Sequence, residues 1–417
     1  MIHTMLLVST AVGSLLNART AGDDWPGFRG ATGQGIAHEK SLPVDWSPTR
    51  NVVWKQSVPG RGWSSPAVQG DRVYLTTSVP LDGNSARDQS LRAICLSAGT
   101  GDILWSKEIF SQSGAPAARI HSKNSHASPT PLISAGRLYV HFGHQGTACL
   151  DLSGAILWRN AALKYAPVHG NGGSPILEGD ALIFSCDGAD KPFVAALNRN
   201  TGSVLWTTER SVTADRRFSF GTPLSITVDG QAQVISAGGD MVAAYDPATG
   251  REIWKVRYHG YSVVPRPVYG HGLVFICTGY DSPSLLAIRP NGKGDITTTH
   301  VAWTTRKAVP LTPSPILIGD ELYTVSDNGM ASCLDAATGK VHWQERIRGA
   351  YSASPIYANG RIYLQDEAGT CVVIEASRQF KELARNSLGE RALASYAAAN
   401  GALYIRTEKN LYRIQNP

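Results

Sequence analysis

Five of the eleven histidines fall in one stretch of the chain and are the first candidates for chemistry. They are His121, His126, His141, His144 and His169. A neutral imidazole binds zinc or copper and titrates near neutral pH, so a group of them can hold a metal ion or exchange protons. We take His126, His141, His144 and His169 as candidate metal ligands. The alternative is that they are polar groups of solvated loops.

Whether these histidines meet depends on the elements that carry them, and a repeated phrase predicts those elements. DPATGREIW (246–254) recurs as DAATGKVHW (335–343), NRNTGSVLW (198–206) and SAGTGDILW (97–105). The Asp or Asn begins a turn by bonding to its own backbone, and the Gly supplies a positive φ. The apolar alternation that follows predicts a strand. A cofactor loop is needed once per site, so a recurring phrase predicts a β-hairpin of the scaffold.

A second hairpin precedes each phrase, as in SPILIGDELYTVS (314–326), and two hairpins make a four-stranded unit. The tryptophans recur every ~40–50 residues, which is the period of propeller blades. Eight first hairpins can be counted from their leading residues: Pro66, Pro131, Pro175, Pro223, Pro267, Pro315, Pro355 and Tyr396. The last unit has only three strands, and NVVWKQSV (51–58) can supply the fourth. The prediction is an all-β, eight-bladed β-propeller of four-stranded blades, its ring closed by an N-terminal strand.

The alternating strand direction brings the connections between blades and the turns within blades to one rim. Residues able to bind or catalyse concentrate there, whereas the TG turns of the opposite rim carry mostly Thr, Gly and Ala. Loops on a rigid scaffold are the usual place for binding groups, although solvated loops are polar in any case. The predicted rim residues are Arg61, Trp63, Asn124, His126, His141, His144, His169, Asn171, Asp187, Arg217, Tyr261, Arg266, Tyr280, Asp281, Asp327, Tyr351, Asp366 and Arg391.

Composition and charge favour a globular protein without a nucleic-acid partner. The 42 Gly and 23 Pro suit a chain of many turns, and 17% charged residues is ordinary for a folded domain. The net charge of +6 is mild for 417 residues, and no run of Lys and Arg stands out. We expect a monomer with no transmembrane segment.

The N-terminus predicts export. MLLVSTAVGSLL (5–16) is apolar, too short to span a bilayer, and followed by small residues. We therefore divide the chain into a cleaved signal peptide (1–22), an N-terminal extension (23–50) and the propeller (51–417), located in the periplasm or secreted. The first cysteine is Cys95, so no lipid anchor can be placed near the cleavage site.

The six cysteines are predicted to be free. Cys95, Cys149 and Cys333 occupy one place in the repeat, and Cys186 and Cys277 occupy another. Equivalent positions of separate blades are unsuited to disulfide geometry, so these residues are read as small fillers of the core. The absence of a Cys-x-x-Cys pair excludes a zinc ribbon and haem attachment.

The blade pattern, with DWPGFRG (24–30), NVVWK (51–55) and GRGWSSP (60–66), resembles the pyrroloquinoline-quinone-like propeller repeats. These occur in exported bacterial propellers, quinoprotein dehydrogenases and the outer-membrane β-barrel assembly lipoprotein. The dehydrogenase resemblance implies pyrroloquinoline quinone with calcium held by Asn, Asp and Glu, under a disulfide of adjacent cysteines. This chain has no adjacent cysteines, and the calcium ligands have no residue-by-residue match. The lipid-modified cysteine of the assembly lipoprotein is also missing.

The function predicted from the sequence is therefore binding. The chain is interpreted as an exported scaffold that takes a small ligand or an exported protein at its His/Arg/Tyr-rich rim. No catalytic residue is assigned. The alternative is a quinone- or metal-dependent oxidoreductase that uses the same rim.

Overall fold

A computed structural model describes residues 24–81, 88–113 and 120–417. It contains eight antiparallel sheets, six of four strands and two with a fifth, short parallel strand. The one helical element in the described residues is the 3-10 turn Gly143–Gln145. The predicted all-β, eight-bladed propeller is confirmed. The proposed signal peptide (1–22) lies outside the described residues, and within them no helix has the length and apolar character needed to cross a membrane.

The blades follow one another along the chain. The strands of blades 1 and 2 are Ala67–Gln69, Arg72–Pro80, Gln89–Ser97, Ile103–Gln112, Leu132–Ser134, Arg137–His141, Thr147–Asp151 and Ile156–Asn160. Those of blades 3 and 4 are Ile176–Glu178, Ala181–Asp187, Pro192–Asn198, Val204–Glu209, Leu224–Val228, Gln231–Gly238, Met241–Tyr245 and Glu252–Arg257, with Gly294–Asp295 added to blade 4.

The second half continues the pattern. The strands of blades 5 and 6 are Val268–Gly270, Leu273–Cys277, Leu285–Ile288, Val301–Thr305, Ile316–Ile318, Glu321–Val325, Met330–Asp335 and Val341–Arg346. Those of blades 7 and 8 are Ile356–Ala358, Arg361–Gln365, Thr370–Glu375, Glu382–Ser387, Ala397–Ala399, Ala402–Arg406, Asn410–Gln415 and Val52–Ser57, with Ile36–Ala37 added to blade 7.

The repeated turn forms as its residues predict. The Asp246 carboxylate accepts hydrogen bonds from the backbone N–H groups of Ala248 and Thr249, at 3.0 and 2.9 Å. Gly250 follows with φ +72°, and a side chain there would collide with the Trp206 ring, 2.5 Å from the Cβ position. Glycine is therefore required both by the turn and by the tryptophan of the preceding blade.

The recurring tryptophan joins neighbouring blades. The Trp158 indole N–H donates to the Arg199 carbonyl of the next blade at 3.1 Å, and Trp206 donates to Pro247 at 3.0 Å. The indole packs over the glycine of that same turn. Trp254 differs, because its N–H donates to the Gln233 side chain of its own blade at 2.9 Å. The phrase that resembled a cofactor box is thus an inter-blade joint.

The ring closes as predicted. Val52–Ser57 pairs antiparallel with Asn410–Gln415 and completes blade 8 with N-terminal residues. Trp54 on this strand donates to the Ala98 carbonyl of blade 1 at 3.0 Å, so the joint is repeated across the closure. The last blade therefore has its full four strands, and neither the N-terminal nor the C-terminal strand of the ring is left unpaired.

The extension preceding the ring lies inside the channel, which the sequence did not predict. Trp25 bridges Val68 of blade 1, and the Pro26 carbonyl accepts the Ile133 N–H of blade 2 at 2.8 Å. The Gln34 side chain then accepts the Tyr269 N–H of blade 5 at 2.7 Å. Ile36–Ala37 finally pairs with blade 7. The segment crosses the channel from one side to the other and forms a floor.

The core lies between the blades. Strand residues such as Val140, Ile183 and Val274 are fully buried between neighbouring sheets. All six cysteines are buried and free, in agreement with their assignment as core fillers.

Candidate functional site

The rim predicted to carry function surrounds a chamber in the mouth of the channel. Its volume is about 320 Å³. Phe28 of the extension forms part of its floor, and rings of Trp63, Phe218, Tyr261 and Tyr280 stand in its walls. The chamber is open at the rim, whereas the extension lies across the other end of the channel.

A ring of hydroxyl groups encircles the base of the chamber. In seven of the eight blades, the residue before the first strand's leading Pro or Tyr is Ser or Thr and lines the chamber: Ser65, Thr130, Ser174, Thr222, Ser314, Ser354 and Ser395. Six of these oxygens accept a backbone N–H group from the preceding blade, as when the Ser65 N–H donates to Thr130 (3.0 Å) and the Thr130 N–H donates to Ser174 (2.9 Å). The ring therefore ties the inner strands together and presents hydroxyl groups to the channel.

The sequence analysis missed these hydroxyls, although a signal was present. Each serine or threonine stands next to the residue used to count the blades. The exception is blade 5, where Arg266 takes the place and donates its N–H to Ser314 at 2.9 Å.

Arginines and aromatic rings meet on the rim. The guanidinium groups of Arg61 and Arg391 lie 5.8 and 5.5 Å from the buried Trp63 ring. Arg216 lies 4.9 Å from the Tyr261 ring. These are cation–π distances, and they hold guanidinium groups that remain partly exposed to solvent. The rim thus offers preorganised arginines beside aromatic surface.

The connection into blade 2 bends over the chamber. The backbone N–H of His121 donates to the His169 carbonyl at 3.2 Å, and the two imidazole rings are 5.3 Å apart. Lys123 forms an ion pair of 2.7 Å with Glu367 of blade 7. The Ser122 carbonyl accepts Arg391 at 3.0 Å. This connection therefore reaches from blade 3 to blades 7 and 8 across one side of the mouth.

The four candidate metal ligands lie in different environments. His169 lines the chamber, and burial, followed by the charge of His121, lowers its pKa. His141 is buried, contacts Thr147 Oγ1 at 2.8 Å and stacks on Phe184. Burial, followed by His144, lowers the pKa of His141 to about 3.

His144 is half-buried beside Asn171, and its pKa is lowered by burial. His126 lies in the connection before blade 2 and not on the inner strand, which begins at Leu132. Within residues 24–81, 88–113 and 120–417, no three His, Cys, Asp or Glu side chains are arranged to hold a metal ion.

Three predicted residues, His141, Asn171 and Asp187, border a second, nearly filled cavity of about 10 Å³. Asn171 accepts the Tyr165 hydroxyl at 2.9 Å. Asp187 receives Arg210 through both of its oxygens, at 2.7 and 3.2 Å, and both side chains are completely buried. This part of the predicted site is packed scaffold between blades 2, 3 and 4.

Several predicted rim residues stabilise their own loops. Asp327 accepts the N–H groups of Leu311 and Thr312, at 2.7 and 3.2 Å. Asp366 accepts the Thr370 N–H at 2.6 Å, and the buried Tyr351 donates to Arg348. Arg217 is half-buried and donates to Ala214, whereas Asp281 is exposed near Arg216.

The structure corrects the placement of Arg266. The sequence analysis assigned it to the rim because it lies in an inter-blade connection. Its side chain instead points to the channel floor, where it donates to Phe28 and Pro223 and borders a lower cavity of about 530 Å³. The polar residues that line this lower cavity are Thr32, Ser134, Glu178, Ser225, Thr227 and Arg266.

The chamber has a positive or neutral lining. Its basic residues are His121, Lys123 and His169, and no described residue of the lining is Asp or Glu. Calcium binds to oxygen ligands that include carboxylates. The residues present therefore do not fit pyrroloquinoline quinone with calcium, and the six free cysteines provide no disulfide to cover a cofactor.

The fold is an eight-bladed propeller whose channel is open at one rim and crossed by the extension at the other end, and comparison with known proteins identifies the family. The family model described as "Outer membrane protein assembly factor BamB" matches residues 45–209, 190–317 and 292–412. The chain therefore belongs to this family of pyrroloquinoline-quinone-like propellers, as the sequence resemblance indicated.

Individual relatives are distant. The outer membrane protein assembly factor BamB of Moranella endobia is 20% identical over 306 residues, which are 72% of this chain and 69% of that protein. The crystal structure of BamB from Moraxella catarrhalis superposes with a TM-score of 0.60 at 15% identity, covering 88% of this chain and 97% of that one. Quinohemoprotein alcohol dehydrogenase from Comamonas testosteroni gives a TM-score of 0.65 at 12% identity, covering 94% and 80%. At these identities the solved structures establish the fold alone.

Proposed function

We propose that this chain is an exported scaffold that binds a protein partner through the rim around the channel mouth. The observation that carries the proposal is the pairing of arginines with aromatic rings on that rim. Arg61 and Arg391 flank Trp63, and Arg216 lies over Tyr261. Arg, Trp and Tyr are the residues most enriched among those that dominate protein interfaces.

The relatives support the same kind of activity. The matching family model and the relative from Moranella endobia are both named outer membrane protein assembly factor BamB, a name that implies work on other proteins. Tyr280 on the same rim is 37% exposed and is the one aromatic side chain among the exposed large hydrophobic residues of the described chain. A partner that covers Tyr280 and the arginines would bury apolar surface and satisfy exposed donors together.

Site-specific crosslinking in cells of the source organism tests this proposal. p-Benzoylphenylalanine replaces Tyr280 or, as a control on an outer strand, Leu157, which is 48% exposed. We expect a discrete adduct from position 280 and none from 157. Arg61→Glu combined with Arg391→Glu should reduce that adduct about tenfold, the loss expected from interface hot spots. Equal adducts from both positions, or an adduct that survives the charge reversal, would contradict rim binding.

The chamber supports a second candidate, the binding of a small molecule. Its volume of about 320 Å³ and its mixture of aromatic rings and hydroxyls are those of a ligand pocket. Native mass spectrometry of protein isolated from cells should then show a bound mass. Val264→Trp, which fills the chamber wall, should remove that mass, whereas Val53→Trp on an exposed strand should retain it. A bound mass that Val264→Trp leaves unchanged would place the ligand elsewhere.

A further inference from the structure

The channel floor contains two buried arginines without a carboxylate partner. Arg29 belongs to the extension and Arg266 begins blade 5, and their side chains are 0% and 6% exposed. Burial, followed by the charge of Arg266, lowers the pKa of Arg29 to about 9, and burial lowers the pKa of Arg266 to about 9. Both guanidinium groups remain protonated at neutral pH, so two like charges are buried close together.

The hydrogen bonds of these arginines are incomplete. Arg266 donates Nε to the Pro223 carbonyl at 3.0 Å and Nη1 to the Phe28 carbonyl at 2.8 Å. Arg29 donates Nη2 to the Gln34 carbonyl at 2.9 Å. Nε and Nη1 of Arg29 are buried and have no hydrogen-bond partner. Buried donors without an acceptor are rare, and on a charged group they are especially costly.

The glycines of the extension pack directly on the two guanidinium groups. A Cβ on Gly33 would lie 2.2 Å from Nη1 of Arg266, and one on Gly35 would lie 2.7 Å from Nη2 of Arg29. Both glycines have positive φ, at +68° and +85°. The turn therefore leaves no room for a side chain of its own to neutralise the arginines.

No acidic side chain compensates this charge within the described chain. The carboxylate on the wall of the lower cavity is Glu178, which accepts the Ser225 hydroxyl at 2.5 Å and contributes nothing to the pKa of Arg266. Burial of an isolated charge is unfavourable unless an opposite charge accompanies it. The missing negative charge must therefore come from outside the described residues.

We propose that a small inorganic anion of the size of chloride or bromide binds at the channel floor, against the unpartnered nitrogens of Arg29 and beside Arg266. A monatomic ion suits the tight packing, and it would accept the charge-assisted hydrogen bonds that Arg29 lacks. Arg266 borders the lower cavity, through which the ion can enter. The anion then stabilises the docked extension and, with it, the closed end of the channel.

Bromide soaks locate the ion directly in the wild-type protein. Crystals transferred to sodium bromide should show an anomalous peak about 3.3 Å from Nε or Nη1 of Arg29, a distance slightly longer than that of an N–H···O bond. Peaks confined to surface arginines and lysines would overturn the proposal. This measurement needs no variant and does not depend on whether the rim binds a partner.

Thermal unfolding then tests the link to stability. At constant ionic strength, replacing sodium gluconate with sodium chloride should raise the wild-type Tm saturably by roughly 3–6 °C, as expected for a ligand that binds only the folded state. Arg29→Met should abolish the rise. Arg406→Met is the matched control, since Arg406 is equally buried but donates to three oxygens of Ser64 and Thr76. An equal chloride effect in Arg29→Met, or none in the wild type, would refute the site.

Discussion

Arg210 lies in the wall between blades 3 and 4, and Arg29 lies in the channel floor. Both arginines are buried, but only Arg210 has a carboxylate partner among the described residues. Arg210 meets Asp187 through two hydrogen bonds and also donates to the Ser236 carbonyl and hydroxyl. The Arg29 guanidinium donates to one acceptor, the Gln34 carbonyl, and has another arginine for a neighbour. Among the described residues, Asp187 balances the charge of Arg210, whereas the charge of Arg29 has no carboxylate partner.

This difference teaches how the two regions are built. Asp187 ends a strand of blade 3 and Arg210 directly follows the last strand of the same blade, so the partner is supplied within one repeat. The floor arises where a segment outside the repeat crosses the channel, and its neighbours come from several blades. A buried ion pair that is complete becomes costly when one member is removed, while an isolated buried charge is costly from the beginning.

The largest expected effect is at the wall. Asp187→Asn leaves Arg210 buried without a negative partner and should lower the free energy of unfolding by about 3–5 kcal/mol. Asp281→Asn is the control, since Asp281 is exposed and 3.7 Å from Arg216, and should change stability by less than about 1 kcal/mol. Urea unfolding of both variants measures the comparison. If Asp187→Asn lowered the free energy of unfolding no more than Asp281→Asn does, the charge of Arg210 would not depend on Asp187 for its compensation.

A smaller effect is expected for His141, which borders the same cavity as Asp187. Burial, followed by His144, lowers the folded-state pKa of His141 to about 3, below its ordinary value of 6.5. As the pH falls below that ordinary value, the unfolded chain takes up a proton that the folded chain refuses, so stability decreases. Between pH 7 and pH 5 this contribution amounts to about 2 kcal/mol.

His141→Gln removes this contribution, so its free energy of unfolding should depend less steeply on pH over that interval. Guanidinium titrations of the wild type and the variant at both pH values provide the measurement. His271→Gln serves as a control, since His271 is exposed. Parallel pH profiles for the wild type and His141→Gln would mean that His141 is protonated in the folded protein.

The smallest effect is expected at the floor, where Arg29 can be compared with Arg210 through the same substitution. In a buffer with gluconate as the only anion, Arg29→Met loses one hydrogen bond but relieves the repulsion from Arg266. Its free energy of unfolding should therefore change by less than about 1 kcal/mol. Arg210→Met is the same substitution at equal burial, but it leaves Asp187 buried without a partner. It should lower the free energy of unfolding by about 3–5 kcal/mol. Equal losses in the two variants would mean that Arg29 is already compensated within the chain.

The sequence predicted several residues of the rim but not the channel floor. Trp63, Asn124, His169, Tyr261 and Tyr280 were predicted from strand direction alone, and all five line the chamber. Strand direction places the end of a strand, but it does not say whether a side chain points to solvent, into a neighbouring blade or along the channel. His141 and Asp187 lie at the predicted strand ends yet are packed between blades.

What the sequence determined by itself was the repeated architecture. The turn of DPATGREIW depends on hydrogen bonds within a few residues, and the alternation that follows depends on the two-residue period of a strand. Four copies of that turn and eight copies of the hairpin that begins each blade suffice to predict eight blades, and an unpartnered strand at 51–58 suffices to close them. Each of these features is readable in a short window.

Only the tertiary structure decided what fills the channel. Phe28 and Arg266 are separated by 238 positions, and their contact exists because the extension threads through a ring formed by all eight blades. The charge of Arg29 is unremarkable in DWPGFRG and becomes a buried cation only when blades 5 and 7 surround it. Burial is a property of the assembled surface around a group, so the need for a counter-ion at the floor could not be read from any local pattern.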